Sequence, residues 1–131
     1  MKFASLRVVT SDVETLRDFY VALTGIAAIN LAPGFAEIRL PGCTLAISSE
    51  DLINKLNGGA IVPGSNRSSM IELEVDDVEA IQTRIVSTKL AEIVQQPTLM
   101  PWGNQSMLVR DPDGAIVNLF SRPKRPHLTS P

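Results

Sequence analysis

The chain has 131 residues, of which 44% are hydrophobic and 20% charged, a composition typical of one globular domain with a sizeable core. The formal net charge of −2 gives no electrostatic reason to expect a nucleic acid or an anionic membrane as partner. No apolar run reaches the roughly 20 residues that span a bilayer. Arg7 interrupts the apolar stretch near the start, so we expect no signal peptide either.

Cysteine and histidine each occur once, which limits the chemistry that the chain can perform. Cys43 cannot form an internal disulfide, and we therefore expect a cytoplasmic protein. The Cys43 thiolate has no histidine nearby to activate it, and a structural role is predicted. His127 lies in a segment rich in proline and charge, residues 122–131, which is predicted to be a loosely ordered tail without a catalytic or metal-binding role.

The first half of the chain predicts a strand, a helix and three further strands. Ser11 is a candidate helix cap, with Glu14 placed to complete a capping box. Thr24-Gly25 ends the helix, because glycine adopts the left-handed conformation at little cost. The predicted strands are Phe3–Thr10, Ala27–Leu31, Phe35–Leu40 and Cys43–Ser48.

The second half repeats this order after a predicted linker, residues 51–67, in which 51–56 could form a helical turn. Asp76 or Asp77 caps the second helix, whose apolar stripe contains Val78, Ile81 and Ile85. Residues 97–103 are predicted to be a long turn. The predicted strands are Met70–Val75, Glu92–Gln96, Gln105–Arg110 and Ile116–Ser121.

The chain is therefore predicted to be an α+β protein made of two copies of one βαβββ module. The modules span about 1–50 and 68–121 and together form a single domain, 1–121. Several short motifs in this order resemble the vicinal oxygen chelate superfamily, which includes glyoxalase I, bleomycin-resistance proteins and extradiol dioxygenases. The motifs are Asp12-Val13-Glu14, Phe19-Tyr20, Thr24-Gly25, Val75-Asp76-Asp77-Val78, Met100-Pro101-Trp102-Gly103 and Asp111-Pro112-Asp113-Gly114.

The resemblance covers about residues 3–121 and looks closest to the small bleomycin-resistance-like members. It implies tandem βαβββ modules whose curled mixed sheet surrounds a cavity, and a homodimer. It also implies a divalent metal held on the first and last strands of each module, where the ion would act as a Lewis acid. The four corresponding positions here hold Ser5, Ala46, Met70 and Asn118.

These four side chains are poor ligands for a hard or borderline dication. Alanine has no ligand atom, the serine and asparagine oxygens are weak neutral ligands, and the methionine thioether favours copper(I). We therefore predict that the metal chemistry of the family is absent and that no cofactor is bound. The bleomycin-resistance branch, which uses this cavity to sequester a drug without chemistry, offers a parallel.

A shift of two residues along the strands keeps the same face and brings other polar side chains to the site. Arg7, Glu72 and Glu74 then lie on the first strands, with Glu37 on a neighbouring strand. The carboxylates could bind a cation through oxygen. Arg7 and Glu72 could instead form an internal salt bridge, because they occupy equivalent positions, or they could hold a polar ligand.

Apolar side chains are predicted to complete the lining of the cavity. Trp102 lies in a loop at the expected rim, where it could stack on a planar ligand or simply close the module. When the two modules are aligned by Gly42 and Gly114, Phe35 and Met107 correspond. Both are then predicted to face the cavity, together with Glu37, Val109, Asn118 and Phe120.

The sequence thus predicts a protein that binds a small organic molecule without catalysis, with neither nucleic acid nor membrane as partner. The predicted ligand-binding residues are Arg7, Phe35, Glu37, Glu72, Trp102, Met107, Asn118 and Phe120. A metal-dependent lyase or dioxygenase with a nonstandard site is the alternative, and a scaffold domain with a vestigial cavity is a third possibility.

Overall fold

A computed structural model describes residues 1–123; His127 and the rest of the predicted tail beyond Pro123 lie outside the described residues. The described part forms eight strands and three helices. They are β1 Ser5–Thr10, α1 Val13–Thr24, β2 Ile29–Ala32, β3 Phe35–Leu40, β4 Cys43–Ser49, α2 Glu50–Asn57, β5 Met70–Glu74, α3 Val78–Thr88, β6 Ile93–Leu99, β7 Gln105–Arg110 and β8 Ile116–Ser121.

These elements build two compact units, each with a four-stranded mixed sheet. The first unit contains residues 1–68 together with the turn 111–115, and its strand order is β1-β4-β3-β2. The second contains residues 69–110 and, within the described part of the chain, 116–123, with the order β5-β8-β7-β6. In each sheet the first and last strands of the module pair in parallel and the other pairs are antiparallel. The predicted α+β class and βαβββ repeat are confirmed.

Each sheet carries a helix whose apolar stripe the sequence predicted. On α1 the buried side chains are Leu16, Phe19, Tyr20 and Leu23, and the helix packs on β3 and β4. On α3, Val78 and Ile85 are buried, and that helix packs on β6, β7 and β8. Among the described residues, none of the helices has the length and hydropathy needed to cross a membrane.

Aspartate caps both of these helices. This corrects the predicted cap Ser11 and decides between Asp76 and Asp77 for the second helix. Asp12, not Ser11, is the cap of α1, and its carboxylate accepts from the backbone N–H and the hydroxyl of Thr15. The helix begins one residue later than predicted, so Ser11 and Glu14 do not form the expected capping box. Asp77 caps α3 by accepting from the N–H groups of Glu79 and Ala80.

Strand β6 is longer than predicted, because it continues through Pro97 to Leu99. Proline lacks the N–H that a central strand needs, but β6 is an edge strand. Its pairing with β7 also shifts register between Gln95 and Thr98, so the proline lies at an irregularity. The predicted long turn is therefore confined to the residues between Leu99 and Gln105.

The turn that follows β7 is held by a buried aspartate. Asp111 accepts hydrogen bonds from the backbone N–H groups of Asp113 and Ala115, as expected for an aspartate that serves a turn. The Tyr20 hydroxyl donates to the other oxygen of Asp111 at 2.7 Å. Burial, together with the nearby Asp111 charge, raises the pKa of the Tyr20 phenol well above its usual range. Tyr20 is core, as predicted, and it also ties this turn to α1.

Candidate functional site

The register of the first sheet determines which side chains share the face opposite α1. Arg7 pairs with Ala46, and Ala46 pairs with Glu37 on the next strand, so the three form a row across the sheet. Ser5 pairs with Thr44 and is therefore displaced by two residues from this row. Among the residues predicted for the site, Arg7 and Glu37 are thus the cross-strand neighbours of Ala46.

Within this row the arginine is fixed by two contacts. The Arg7 Nη1 donates to the Ser48 hydroxyl at 2.6 Å, and its guanidinium lies 4.4 Å from the centre of the Phe35 ring. Glu37 accepts from Arg39 at 3.0 Å and so is paired along its own strand. The predicted salt bridge between Arg7 and Glu72 stays a prediction.

The second sheet places a chain of hydrogen bonds across three strands. Glu72 on β5 pairs with Asn118 on β8, and the Asn118 Nδ2 donates to the Glu72 Oε2 at 2.8 Å. The Ser106 hydroxyl on β7 donates to the Asn118 Oδ1. Met70 pairs with Ile116 and lies two residues away from Asn118. The polar centre of this sheet is therefore Glu72, Asn118 and Ser106.

These three residues form part of a pocket of about 230 Å³ within the second unit. Its rim contains Trp102, whose side chain is 68% exposed. The Arg122 Nε lies 3.3 Å from the Glu74 Oε1, and the guanidinium is 5.4 Å from the centre of the Phe120 ring. The pocket is lined by Glu72, Met100, Trp102, Asn104, Ser106, Asn118, Phe120 and Arg122.

Met107 and Val109 face the opposite side of this sheet, and their predicted position in the cavity is wrong. Met107 pairs with Leu119 and is 0% exposed, in the layer that packs against α3. The error comes from aligning the modules by Gly42 and Gly114. Two residues join β3 to β4, whereas five join β7 to β8, and a shift of one residue turns every side chain of a strand to its other face.

The pocket also contains four residues that the sequence did not predict. Ser106 is the true counterpart of Phe35. Phe35 pairs with Ser48 and Ser106 pairs with Phe120, and these partners lie two residues after the equivalent positions Ala46 and Asn118. Arg122 follows Phe120 by two residues, and strand alternation could have found it. Met100 belongs to the same loop motif as Trp102 and could have been predicted from it, whereas nothing in the pattern pointed to Asn104.

The residues at the expected metal positions do not fit a hard dication. Ala46 has no ligand atom, and the amide oxygen of Asn118 already accepts from Ser106. The carboxylates considered as substitutes have other partners within their own units. Glu72 binds Asn118, and ion pairs are formed by Glu37 with Arg39 and by Glu74 with Arg122. Within residues 1–123 no three histidine, cysteine, aspartate or glutamate side chains come together as a metal site.

The comparison with protein-family models identifies one family. The model of the Glyoxalase/Bleomycin resistance protein/Dioxygenase superfamily matches residues 2–119. No functionally curated protein matches the chain.

Solved structures share the fold over nearly the full length. A glyoxalase/bleomycin resistance protein/dioxygenase from Nocardioides is 25% identical, with a TM-score of 0.78, covering 100% of this chain and 89% of that one. A glyoxalase-related enzyme from Fulvimarina pelagi is 22% identical, also with a TM-score of 0.78, covering 96% and 91%. A family enzyme from Burkholderia phytofirmans is 15% identical, with a TM-score of 0.76, covering 89% and 95%.

Proposed function

The chain belongs to the Glyoxalase/Bleomycin resistance protein/Dioxygenase superfamily, and we propose that it captures a small, partly apolar organic molecule without changing it chemically. The observation that carries the proposal is the second-unit pocket, in which a hydrogen-bonded polar centre lies beside aromatic surface. Such a pocket can hold a ligand against its aromatic surface while polar groups fix the orientation.

The pocket residues divide into two roles. Trp102 and Phe120 provide flat apolar area for contact, whereas Glu72 and Asn118 orient polar groups of the ligand. In the first unit, Arg7 is fixed on Phe35, and the proposal retains Arg7, Phe35 and Glu37 as ligand contacts there. The volume of about 230 Å³ lies below the roughly 300–1,000 Å³ of sites for drug-sized molecules, so the pocket fits a small ligand.

Binding without chemistry is the simplest use of these side chains. The amide of Asn118 stands where the family places a metal ligand, and both ends of that amide are already hydrogen-bonded. The polar centre contains a serine, an asparagine and a carboxylate, and histidine is missing from it. These groups bind and orient a ligand, and drugs and metabolites with an aromatic part are the class that they fit.

A thermal-shift panel of aromatic amines, alcohols and acids tests this proposal. A ligand in hundredfold excess over its Kd stabilises the folded protein by about 2.7 kcal/mol, which raises Tm measurably. We expect at least one compound to stabilise the protein, and the effect to disappear in Trp102→Ala. Phe3→Ala is the matched control, because Phe3 is also an exposed aromatic but lies outside the pocket. A panel without a stabilising compound, or an equal loss in both variants, would overturn the proposal.

Metal analysis tests the noncatalytic part separately. Protein purified without chelators should contain no stoichiometric dication, and added Zn²⁺, Mn²⁺, Fe²⁺ or Ni²⁺ should leave Tm unchanged. A stoichiometric metal that stabilises the protein would contradict capture without chemistry and would favour a metal-dependent lyase or dioxygenase.

We further propose that the protein is a cytoplasmic homodimer. The edge strands β2 and β6 expose Leu31 and Leu99, apolar side chains that a second copy could cover. Cys43, a free cysteine, is compatible with a reducing compartment. Light scattering at micromolar concentration should give twice the chain mass of 14.2 kDa, and a monomer would contradict this state.

A further inference from the structure

The hydrogen bonds of the second-unit pocket run in one direction and end at a carboxylate. Ser106 donates to the Asn118 Oδ1, and the Asn118 Nδ2 donates to the Glu72 Oε2. The reverse orientation of the amide would place its oxygen against a carboxylate oxygen, so Glu72 fixes the direction. A carboxylate only accepts hydrogen bonds. The open end of the chain is therefore an acceptor, and it calls for a donor on the ligand.

The charges of the pocket favour a positive ligand. Arg122 is the cation that lines it, but its Nε lies 3.3 Å from the Glu74 carboxylate and its guanidinium lies over Phe120. The Glu74–Arg122 pair is therefore close to neutral as a unit. Within the described part of the second unit, Glu72 has the neutral Asn118 as its partner and forms no ion pair, so its negative charge is not balanced inside that unit.

The aromatic residues beside Glu72 add to this preference. Trp102 lines the same pocket, and the face of its ring attracts cations as well as flat apolar groups, whereas Phe120 already carries the Arg122 guanidinium over its ring. A planar ligand with a protonated amine or amidine could stack on a ring while its N–H groups bind Glu72. Charge-assisted hydrogen bonds of this kind are roughly twice as strong as neutral ones.

We infer that the second-unit pocket selects small aromatic cations, with Glu72 as the residue that determines specificity. The inference rests on the proposed function, because it names the class of molecule that the same pocket captures. It predicts that the affinity depends on the charge of the ligand and not only on its aromatic surface.

Three probes of nearly equal size and shape test the inference: benzamidinium, benzamide and benzoate. Trp102 is the only tryptophan of the chain and lies at the rim, so its fluorescence reports binding directly. We expect benzamidinium to bind about tenfold more tightly than benzamide, which corresponds to 1.4 kcal/mol. Benzoate should bind more weakly than either.

Glu72→Gln is the decisive variant, because glutamine keeps the size of the side chain and can still accept from Asn118. It should bring the Kd of benzamidinium close to that of benzamide. The Kd of benzamide should change much less, because its amide N–H groups can still bind the glutamine oxygen. Glu79→Gln, in the first turn of α3 and outside the pocket, makes the same change in net charge and should leave selectivity intact.

The outcomes separate the two proposals. If benzamide or benzoate binds as tightly as benzamidinium, or if Glu79→Gln reduces selectivity as much as Glu72→Gln, the inference is wrong but the pocket is still a ligand site. If none of the three probes changes the Trp102 signal at millimolar concentration and the thermal-shift panel is also negative, both proposals fail.

Discussion

The two units share one architecture but present opposite charges on equivalent strands. In the first unit the neighbour of Ala46 is a cation, Arg7, whereas in the second the neighbour of Asn118 is an anion, Glu72. Arg7 lies on an aromatic ring and a serine, while Glu72 accepts from an amide. A repeated fold thus fixes where side chains stand and leaves their chemistry free to diverge.

The aromatic residue beside each polar centre has changed strands. The cross-strand pair is Phe35 with Ser48 in the first unit and Ser106 with Phe120 in the second. In both units a guanidinium lies over the phenylalanine, Arg7 in one and Arg122 in the other. The same three chemical groups are therefore arranged differently. In the first unit the serine, Ser48, accepts from Arg7, whereas in the second unit the serine, Ser106, donates to Asn118 and orients it.

The two units differ in the hydroxyl of Tyr20 on α1, whose equivalent on α3 is the apolar Ile85. Both side chains are buried, but Tyr20 also donates to the buried Asp111. Tyr20→Phe leaves a buried carboxylate without one of its donors and should destabilise the protein by about 2 kcal/mol. Chemical denaturation measures this loss.

Asp111→Asn is the control for that hydrogen bond. In the Asp111→Asn protein, Tyr20→Phe should reduce the free energy of unfolding by less, because the acceptor is no longer charged. If Tyr20→Phe alone reduced the free energy of unfolding by less than about 0.5 kcal/mol, the turn would not depend on this contact.

The second prediction concerns the residues at which the two helices end. Gly25 ends α1 with φ 73°, whereas Lys89 ends α3 in the same left-handed region with φ 54°. Lys89→Gly should stabilise the protein by about 1 kcal/mol, and Gly25→Ala should destabilise it by about as much. A Cβ on Gly25 would meet no atom within 4 Å, so backbone strain is the whole cause. Effects of the same sign in chemical denaturation would contradict this account.

The third prediction concerns the pH dependence of stability due to Asp113, in the turn between β7 and β8. Burial raises the pKa of Asp113, and the Thr10 hydroxyl partly opposes this rise. The folded state therefore keeps the proton longer than the unfolded chain, and this contribution to stability is lost as pH rises above the ordinary value of 3.8. Asp113→Asn should thus have a slightly higher Tm than the parent at pH 7, and the difference should shrink toward pH 3.

Asp12→Asn is the control with the opposite sign. The hydrogen bonds from Thr15 lower the pKa of the exposed Asp12 carboxylate, so its contribution is present at neutral pH and is lost as pH falls below 3.8. Its substitution should lower Tm more at pH 7 than at pH 3. If the difference in Tm from the parent changed with pH in the same direction for both variants, the opposite pKa shifts of Asp113 and Asp12 would be contradicted.

The sequence predicted the fold well because the signals for it are local. An apolar helix stripe, a turn and an alternating strand are each encoded by residues a few positions apart. The second module repeats the signals of the first. The errors arose where a boundary depends on the whole sheet. Pro97 is tolerated because β6 lies at an edge, which one strand pattern cannot reveal.

The site was only half predictable for the same reason. The structure places Glu72, Asn118, Trp102 and Phe120 along the second-unit pocket, and their places follow from positions on the first and last strands and on a rim loop. Met107 failed because its face depends on the length of the turn after β7, which differs between the units. The Glu74–Arg122 pair required a side chain beyond the predicted domain end at residue 121.

Backbone and side-chain amide NMR shifts of the ¹⁵N-labelled protein report which unit of the molecule the ligand contacts. With the most stabilising compound from the thermal-shift panel, we expect the largest changes at the Trp102 indole N–H, the Asn118 side-chain amide and the backbone N–H of Ser106. The equivalent first-unit positions, Phe35 and Ala46, should change less. Changes confined to the first unit, or no changes in the second-unit pocket, would contradict the assignment of ligand capture to this pocket.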